Sequence, residues 1–282
     1  MGTSQSSGGA PSGVPMVPPW VPSPTDGDAP ADGPPPTDGP PPDQGKRPQT
    51  PIAPIPIAPA RRFGSARGSL GDFARTGDVG SLRRGLGHYV RTGYGGSGTA
   101  VRRSGGTAST AGALYGALSG IASGAPVAPG SPLDPALLAG RSVRDVVNAV
   151  VEAVRPIDGT QDAEAGRAAI RDALSELLTR FPEADLLNLS DEQRAFAIER
   201  YVALDVYRRF DLDVGKTIRE KAPSATTALS RLKQVRDYVK ETVAASFRRL
   251  RDAGKVITAG RVGALVREAL KETFEVFEGY SE

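Results

Sequence analysis

Residues 190–210 read SDEQRAFAIERYVALDVYRRF, and their pattern decides the fold class. Ser190 and Gln193 stand as the ends of an S-x-x-Q capping box, in which a hydroxyl and an amide oxygen satisfy two otherwise orphaned backbone N–H groups at a helix start. Ile198, Tyr201, Val202, Val206 and Phe210 then recur at spacings of three, one and four, which is the stripe of one helix face. Gly215 gives this long helix a place to bend. Pro223 must end it, because proline has no N–H to donate and its ring collides with the preceding turn.

Working outward, the same grammar repeats on both sides. Ser142 and Asp145 form a capping box ahead of Val143, Val146, Val147, Val150, Val151 and Val154, a run that stops before Pro156. A second helix is expected over 161–180, with Ile170, Ala173, Leu174, Leu177, Leu178 and Phe181 on its apolar face. Ser224 caps a long helix whose Leu229, Leu232, Val235, Val239, Val243, Phe247 and Leu250 are expected to face inward, and Gly254 fits the residue just past its end. The last helix is expected from about Thr258, with Val262, Leu265, Val266, Ala269, Leu270, Phe274 and Phe277 as its stripe. Five helices within residues 131–282 make an all-α bundle, long enough for a real core.

The rest of the chain differs in composition. Of 25 prolines, 18 lie in residues 1–60, and 18 of 34 glycines lie in residues 61–130. Charge follows the same division: residues 1–60 carry net −3, residues 61–105 net +7, and the remainder net −1. Three segments are therefore expected, with boundaries at 1–60, 61–130 and 131–282. The first cannot bury enough apolar surface to offset the entropy of ordering it, and is expected to be a disordered tail of polyproline II character.

One island interrupts that tail. In VPMVPPWV (14–21), Val14, Met16, Val17 and Trp20 gather apolar side chains, including the only tryptophan of the protein. A stiff, Pro-rich backbone loses little entropy on entering a groove, so the island reads as a docking segment. The middle segment interleaves arginines with aromatic residues around GHYVRTGY, where His88, Tyr89, Arg91 and Tyr94, with Arg102 and Arg103 nearby, are candidate partner-binding residues. Its glycine content lets many conformations compete, and its ordering is expected to need a partner. Cations beside rings also suit single-stranded nucleic acid, although these arginines do not make one stripe. Farther along, Gly112, Gly116, Gly120 and Gly124 recur every four residues. On a helix they would form a ridge permitting close backbone approach.

Signals for chemistry are few. With no cysteine and one histidine, thiol nucleophiles, thiolate metal sites and nearly all His-dependent schemes drop out. Residues 93–98, GYGGSG, match G-x-G-x-x-G but lack a preceding strand and an acid about 20 residues on. Ser230 and Lys233 fit S-x-x-K without its companion motifs. Glu176, Glu183, Asp185, Glu199, Asp205, Asp211, Asp213, Glu220 and Asp237 read as solvated helix surface. The uncharged run Ser104 to Leu133 is too rich in Gly, Ser and Pro to span a bilayer. The chain reads as a cytoplasmic protein without cofactor, metal or catalytic set, and not as an enzyme.

Taken together, MGTSQSSGG, GVPMVPPWVP, GLGHYVRTGYGGSGTAVRRSGGTASTAGALYGALSG and the ending ETFEVFEGY resemble the QatB family, the B component of the bacterial Qat anti-phage defence system. The resemblance implies a non-catalytic subunit acting with an ATPase, a QueC-like enzyme of the 7-deazapurine type and a TatD-like nuclease. QueC-like enzymes adenylate a carboxyl group on a 7-deazaguanine, and an amine can take that acyl group in place of ammonia. Gly2, exposed once Met1 is removed, offers an α-amine of ordinary pKa about 7.7 to 8.0, substantially uncharged at cellular pH. The lead expectation is a subunit that presents Gly2 to the QueC-like partner. A nucleic-acid adaptor that delivers the nuclease and a pure scaffold joining ATPase and QueC-like subunits remain alternatives. Myristoylation of the M-G-x-x-x-[ST] start is weaker, because one acyl chain anchors only marginally.

Overall fold

The computed structural model describes residues 59–125 and 130–281, and helices are the only regular elements among them. The capping logic of the C-terminal half is realised closely. Helix α6 as numbered along the chain spans Val143–Val154 behind Ser142, α7 spans Gln161–Arg180 behind Thr160, and α8 spans Asp191–Phe210 with both halves of the Ser190/Gln193 box formed. The Ser190 hydroxyl accepts from the Gln193 N–H at 3.3 Å, and the Gln193 side chain accepts from the Ser190 N–H at 2.9 Å. Helix α10, Ala225–Asp252, starts under a Ser224 hydroxyl that accepts from the Thr227 N–H, and stops at Gly254, where φ is +79°.

Three details depart from the periodic reading. The helix starting at Asp191 does not bend smoothly at Gly215. A single wide turn, Asp211–Gly215, separates it from α9, Lys216–Lys221. The final helix, α11, starts at Val262, because residues 258–261 form only a turn onto the Thr258 carbonyl. Leu229 is 70% exposed and Val143 56% exposed, so neither belongs to the inward stripe expected of it. Both lie in the first turn or two of their helices.

The Gly/Arg-rich segment is helical as well. It contains α1, Gly64–Thr76; α2, Val79–His88; α3, Ser97–Arg103; and α4, Gly105–Ala122, with a short α5, Pro135–Leu138, after them. Asp78 starts α2 by accepting from the N–H groups of Gly80 and Ser81. Phe63, Leu70, Phe73, Leu82, Leu86, Leu114 and Leu118 are buried in one core with Ile170, Leu174, Tyr201, Val239, Phe274 and Phe277. The core thus crosses the boundary expected at residue 130. Helix α8 lies against α4, α7 and α10. Helix α11 packs on α2, α3, α4 and α10, and α1 bridges α2 and α9.

Glycine explains how such a sequence packs. A Cβ on Gly85 would lie 2.7 Å from Leu70 Cδ2, one on Gly93 2.5 Å from the Phe63 ring, and one on Gly87 2.6 Å from the Ser281 backbone nitrogen. These positions replace side-chain bulk with direct contact, which offsets the roughly 1 kcal/mol that glycine costs inside a helix. The ridge expected from Gly112 to Gly124 works otherwise. Gly116 and Gly124 have open space around them, Gly112 and Gly120 make only ordinary contacts, and Gly124 lies past the helix end at φ +64°.

Candidate functional site

Where the two halves of the body meet, the chain makes two wide π-type turns. The first, Tyr89–Gly93, comes directly after α2; the second is Asp211–Gly215 after α8. Single π turns of this kind often mark functional positions, because an extra residue is forced into the helix and re-aims the side chains beyond it. Here they bring Tyr89, Tyr94 and Asp213 together from positions more than 100 residues apart. The Tyr94 hydroxyl donates to Asp213 Oδ2 at 2.7 Å and the Tyr89 hydroxyl to the same oxygen at 3.0 Å, while the two hydroxyls are 3.1 Å apart.

Rings enclose this polar centre. Phe63 stacks on Tyr89 with centroids 5.5 Å apart, and Tyr94 and Phe210 meet Tyr89 edge-on at 5.0 and 5.2 Å. Offset stacking and edge contacts are the arrangements that aromatic quadrupoles favour. Cations line the outside. The Arg103 guanidinium lies 5.6 Å from the Tyr94 centroid, Arg62 lies 4.7 Å over Phe63, and Arg67 Nη2 donates to the Asp213 carbonyl at 3.2 Å. Gly93 is the residue that lets Phe63 approach.

Electrostatics define what the cluster can do. Burial pushes the Tyr89 phenol well up, with Tyr94 and Asp213 adding to it. Burial first and the Asp213 charge second push Tyr94 up. Both hydroxyls therefore stay protonated at neutral pH and act as donors that hold a carboxylate, not as bases or nucleophiles. Burial, then the nearby Arg103, lowers Arg62, while Asp213 opposes the shift. The Nε and Nη1 atoms of Arg62 are buried without an acceptor among the described residues.

Of the residues singled out in the sequence, Tyr89, Tyr94 and Arg103 converge here. Both tyrosines are buried, so any role toward a partner runs through the shape they hold. His88 is half-buried at the end of α2 with Nδ1 unpartnered, and the exposed Arg91 reaches Ser281 Oγ at 3.4 Å. Arg102 turns to Thr99 Oγ1 at 3.3 Å, outside the cluster. Gly2, Val14, Met16, Val17 and Trp20 lie outside the described residues.

The reading of every bundle acid as solvated surface is overturned at three positions: Glu199 is half-buried and burial pushes its carboxyl up, and Asp213 and Asp205 bind groups of the body. Asp213 binds the two phenols. Asp205 is only 2% exposed, accepting from Thr107 Oγ1 at 2.6 Å and from Arg209 Nε at 3.1 Å. Burying a charge is unfavourable unless it is paired and hydrogen-bonded; the buried Asp205 meets that requirement through Thr107 of the Gly-rich segment and Arg209 of its own helix, and the half-buried Asp213 is held by Tyr89 and Tyr94. The spacing of Asp205 offered a clue, since it falls among Tyr201, Val202 and Val206. Asp213 offered none, because the π turn shifts its face.

Among the described residues there is no cluster of His, Cys, Asp or Glu able to hold a metal ion, and no helix is long and apolar enough to cross a membrane. The chain matches the family model described as Qat anti-phage system associated protein QatB over residues 95–277. It belongs to the QatB family. This places it as a component of Qat anti-phage defence, with partners within that system. The match opens at Gly95, one residue after Tyr94, and closes at Phe277 in α11, so it includes Asp213 while α1, α2 and the N-terminal tail precede it. Neither a curated protein nor a solved structure matches the chain.

Proposed function

We propose that this QatB-family chain is a non-catalytic subunit that binds a QueC-like enzyme and presents Gly2 to it for acylation. The observation that carries the reading is the way the chain enters the body. Arg62 lies over the Phe63 ring and Phe63 stacks on Tyr89, so the first residues of the described body sit on the Tyr89/Tyr94/Asp213 cluster. The cluster itself holds protonated phenols and paired charges, which suit binding and not turnover.

In the proposed step the enzyme joins a carboxylate to AMP at the expense of ATP, releasing pyrophosphate. The neutral Gly2 amine attacks the acyl carbon, AMP leaves, and the new amide loses one proton. VPMVPPWV lies twelve residues downstream of Gly2 and serves as the anchor on the partner. Intact mass of the mature chain, purified after co-expression with the QueC-like protein, tests the reading. An adduct that maps to Gly2 and vanishes when the partner's ATP site is disabled is expected; unmodified glycine in every preparation refutes conjugation.

The nucleic-acid alternative gains little from the body. Arg67 holds the Asp213 carbonyl, Arg75 pairs with Asp72, and Arg84 lies 3.7 Å from Asp78, so this basic segment spends several cations on internal contacts. A pure scaffold would keep its protection after deletion of residues 2–10. The presenting subunit would lose it.

A further inference from the structure

Between α6 and α7 runs a groove of about 640 Å³, built from elements that carry none of the expected site residues. Val143, Val147 and Leu178 are its apolar lining, and Arg144, Asn148, Arg171 and Ser175 its polar lining. Val143 is 56% exposed although its place in the valine run made it a core residue by spacing. Neither arginine has an ion-pair or hydrogen-bond partner among the described residues. The groove is within the size range of sites that enclose a compact ligand, and its chemistry asks for an apolar segment followed by negative charge.

We propose that this groove is the docking site, in the same chain, of the island Val14–Val21. The island supplies Val14, Met16, Val17, Trp20 and Val21, and its three prolines, Pro15, Pro18 and Pro19, reduce the entropy lost on docking. Asp26 and Asp28 come within roughly 20 Å of Val21 at about 3.1 Å per residue. They meet the unpaired Arg144 and Arg171, and either guanidinium can stack on the Trp20 indole. All five acids of residues 1–60 lie on this C-terminal side of the island and none before it, which orients the segment in the groove.

Reach allows the same chain as the occupant. Residues 22–58 link island and body, and a chain of that length can span up to roughly 120 Å, far more than the radius of gyration of about 17 Å of a body of this size. Docking does not depend on Gly2 being modified.

Trp20, the only tryptophan, reports docking directly in the full-length chain without its partners. Fluorescence quenching by acrylamide is measured for the wild type, for Val143→Asp and for Arg144→Glu/Arg171→Glu, all three sites being exposed. Circular dichroism checks that each variant keeps its helix content. In the wild type, quenching several-fold weaker than in a free peptide of residues 10–30 is expected, unchanged on dilution and restored to the peptide value in both variants. Three outcomes overturn the proposal: wild-type quenching equal to the peptide, protection that survives both variants, and protection that disappears on dilution, which assigns the groove to a second copy. Because the readout needs neither enzyme nor nucleotide, its failure leaves the Gly2 reading standing, and the reverse also holds.

Discussion

Replacing Asp213 by alanine removes the acceptor that holds two buried phenols, and its effect can be worked from the geometry. Two hydroxyls, at 2.7 and 3.0 Å, lose a charged oxygen. They are 3.1 Å apart, so one can turn to the other, leaving a single buried donor without a partner. A hydrogen bond to a charged group contributes about 1.5–3 kcal/mol, and an orphaned buried donor costs about 1–3 kcal/mol. These overlap, so a loss of about 2–4 kcal/mol is expected. For a body of this size each kcal/mol shifts the midpoint by about 2–4 °C, so thermal unfolding followed by circular dichroism should fall by roughly 5–15 °C. Asp213→Asn keeps an acceptor and should lose about half as much, and Tyr94→Phe, which removes one donor and orphans none, about 1 kcal/mol. The Arg67 bond runs to the backbone carbonyl and survives all three changes. Asp213→Ala within about 0.5 kcal/mol of wild type, or alanine and asparagine equal, would refute the assignment of this carboxylate as the joint between the two π turns.

Two further outcomes rest on features of the body. Gly116 lies mid-helix with nothing near its missing Cβ, so Gly116→Ala should raise stability by about 1 kcal/mol, whereas Gly87→Ala, pressed against the Ser281 backbone, should lower it; denaturant midpoints measure both. Tyr89 and Tyr201 are pushed well above 10, chiefly by burial, and Tyr280 to about 12 by burial and its bond to Tyr238. A folded state that holds these protons more tightly than the unfolded one keeps its full stability below about pH 10 and loses it as pH rises beyond. Alkaline titration should therefore show phenolate absorbance from the buried tyrosines appearing together with loss of helix signal. Ionisation of every tyrosine near pH 10 with the helices intact would contradict their burial.

How much of the fold and site was legible in the sequence depended on whether a residue's role was local. Caps at Ser142, Ser190 and Ser224 act within one turn, and the helices they start are where periodicity put them. The stripe of α11 is buried at all seven expected positions. Roles set by distant neighbours were not readable. Propensity penalises glycine wherever it stands, so Gly85, Gly87 and Gly93 look like breakers until Leu70, Ser281 and Phe63 are seen filling the vacated space. Leu229 fits the stripe of α10 by spacing, yet near the start of that helix no neighbour covers it. The pairing of Tyr89 and Tyr94 was half legible: their closeness in sequence drew notice, but the carboxylate joining them lies 119 residues beyond Tyr94.

The paired π turns also limit how this chain can vary in length. A residue inserted into or removed from a helix rotates everything beyond it by about 100° and shifts it by about 1.5 Å. Deleting one residue from 89–93 would restore a regular helix, but would turn Tyr94, with the residues beyond it, away from the Phe63 and Tyr89 rings that it packs against. The same deletion at 211–215 would turn Asp213 off the phenols. Each turn is thus a registration mark for the other. Recombination between family members should succeed when both turns come from one parent, and exchanges with a crossover between residues 93 and 211 should yield bodies whose halves are each helical and no longer meet.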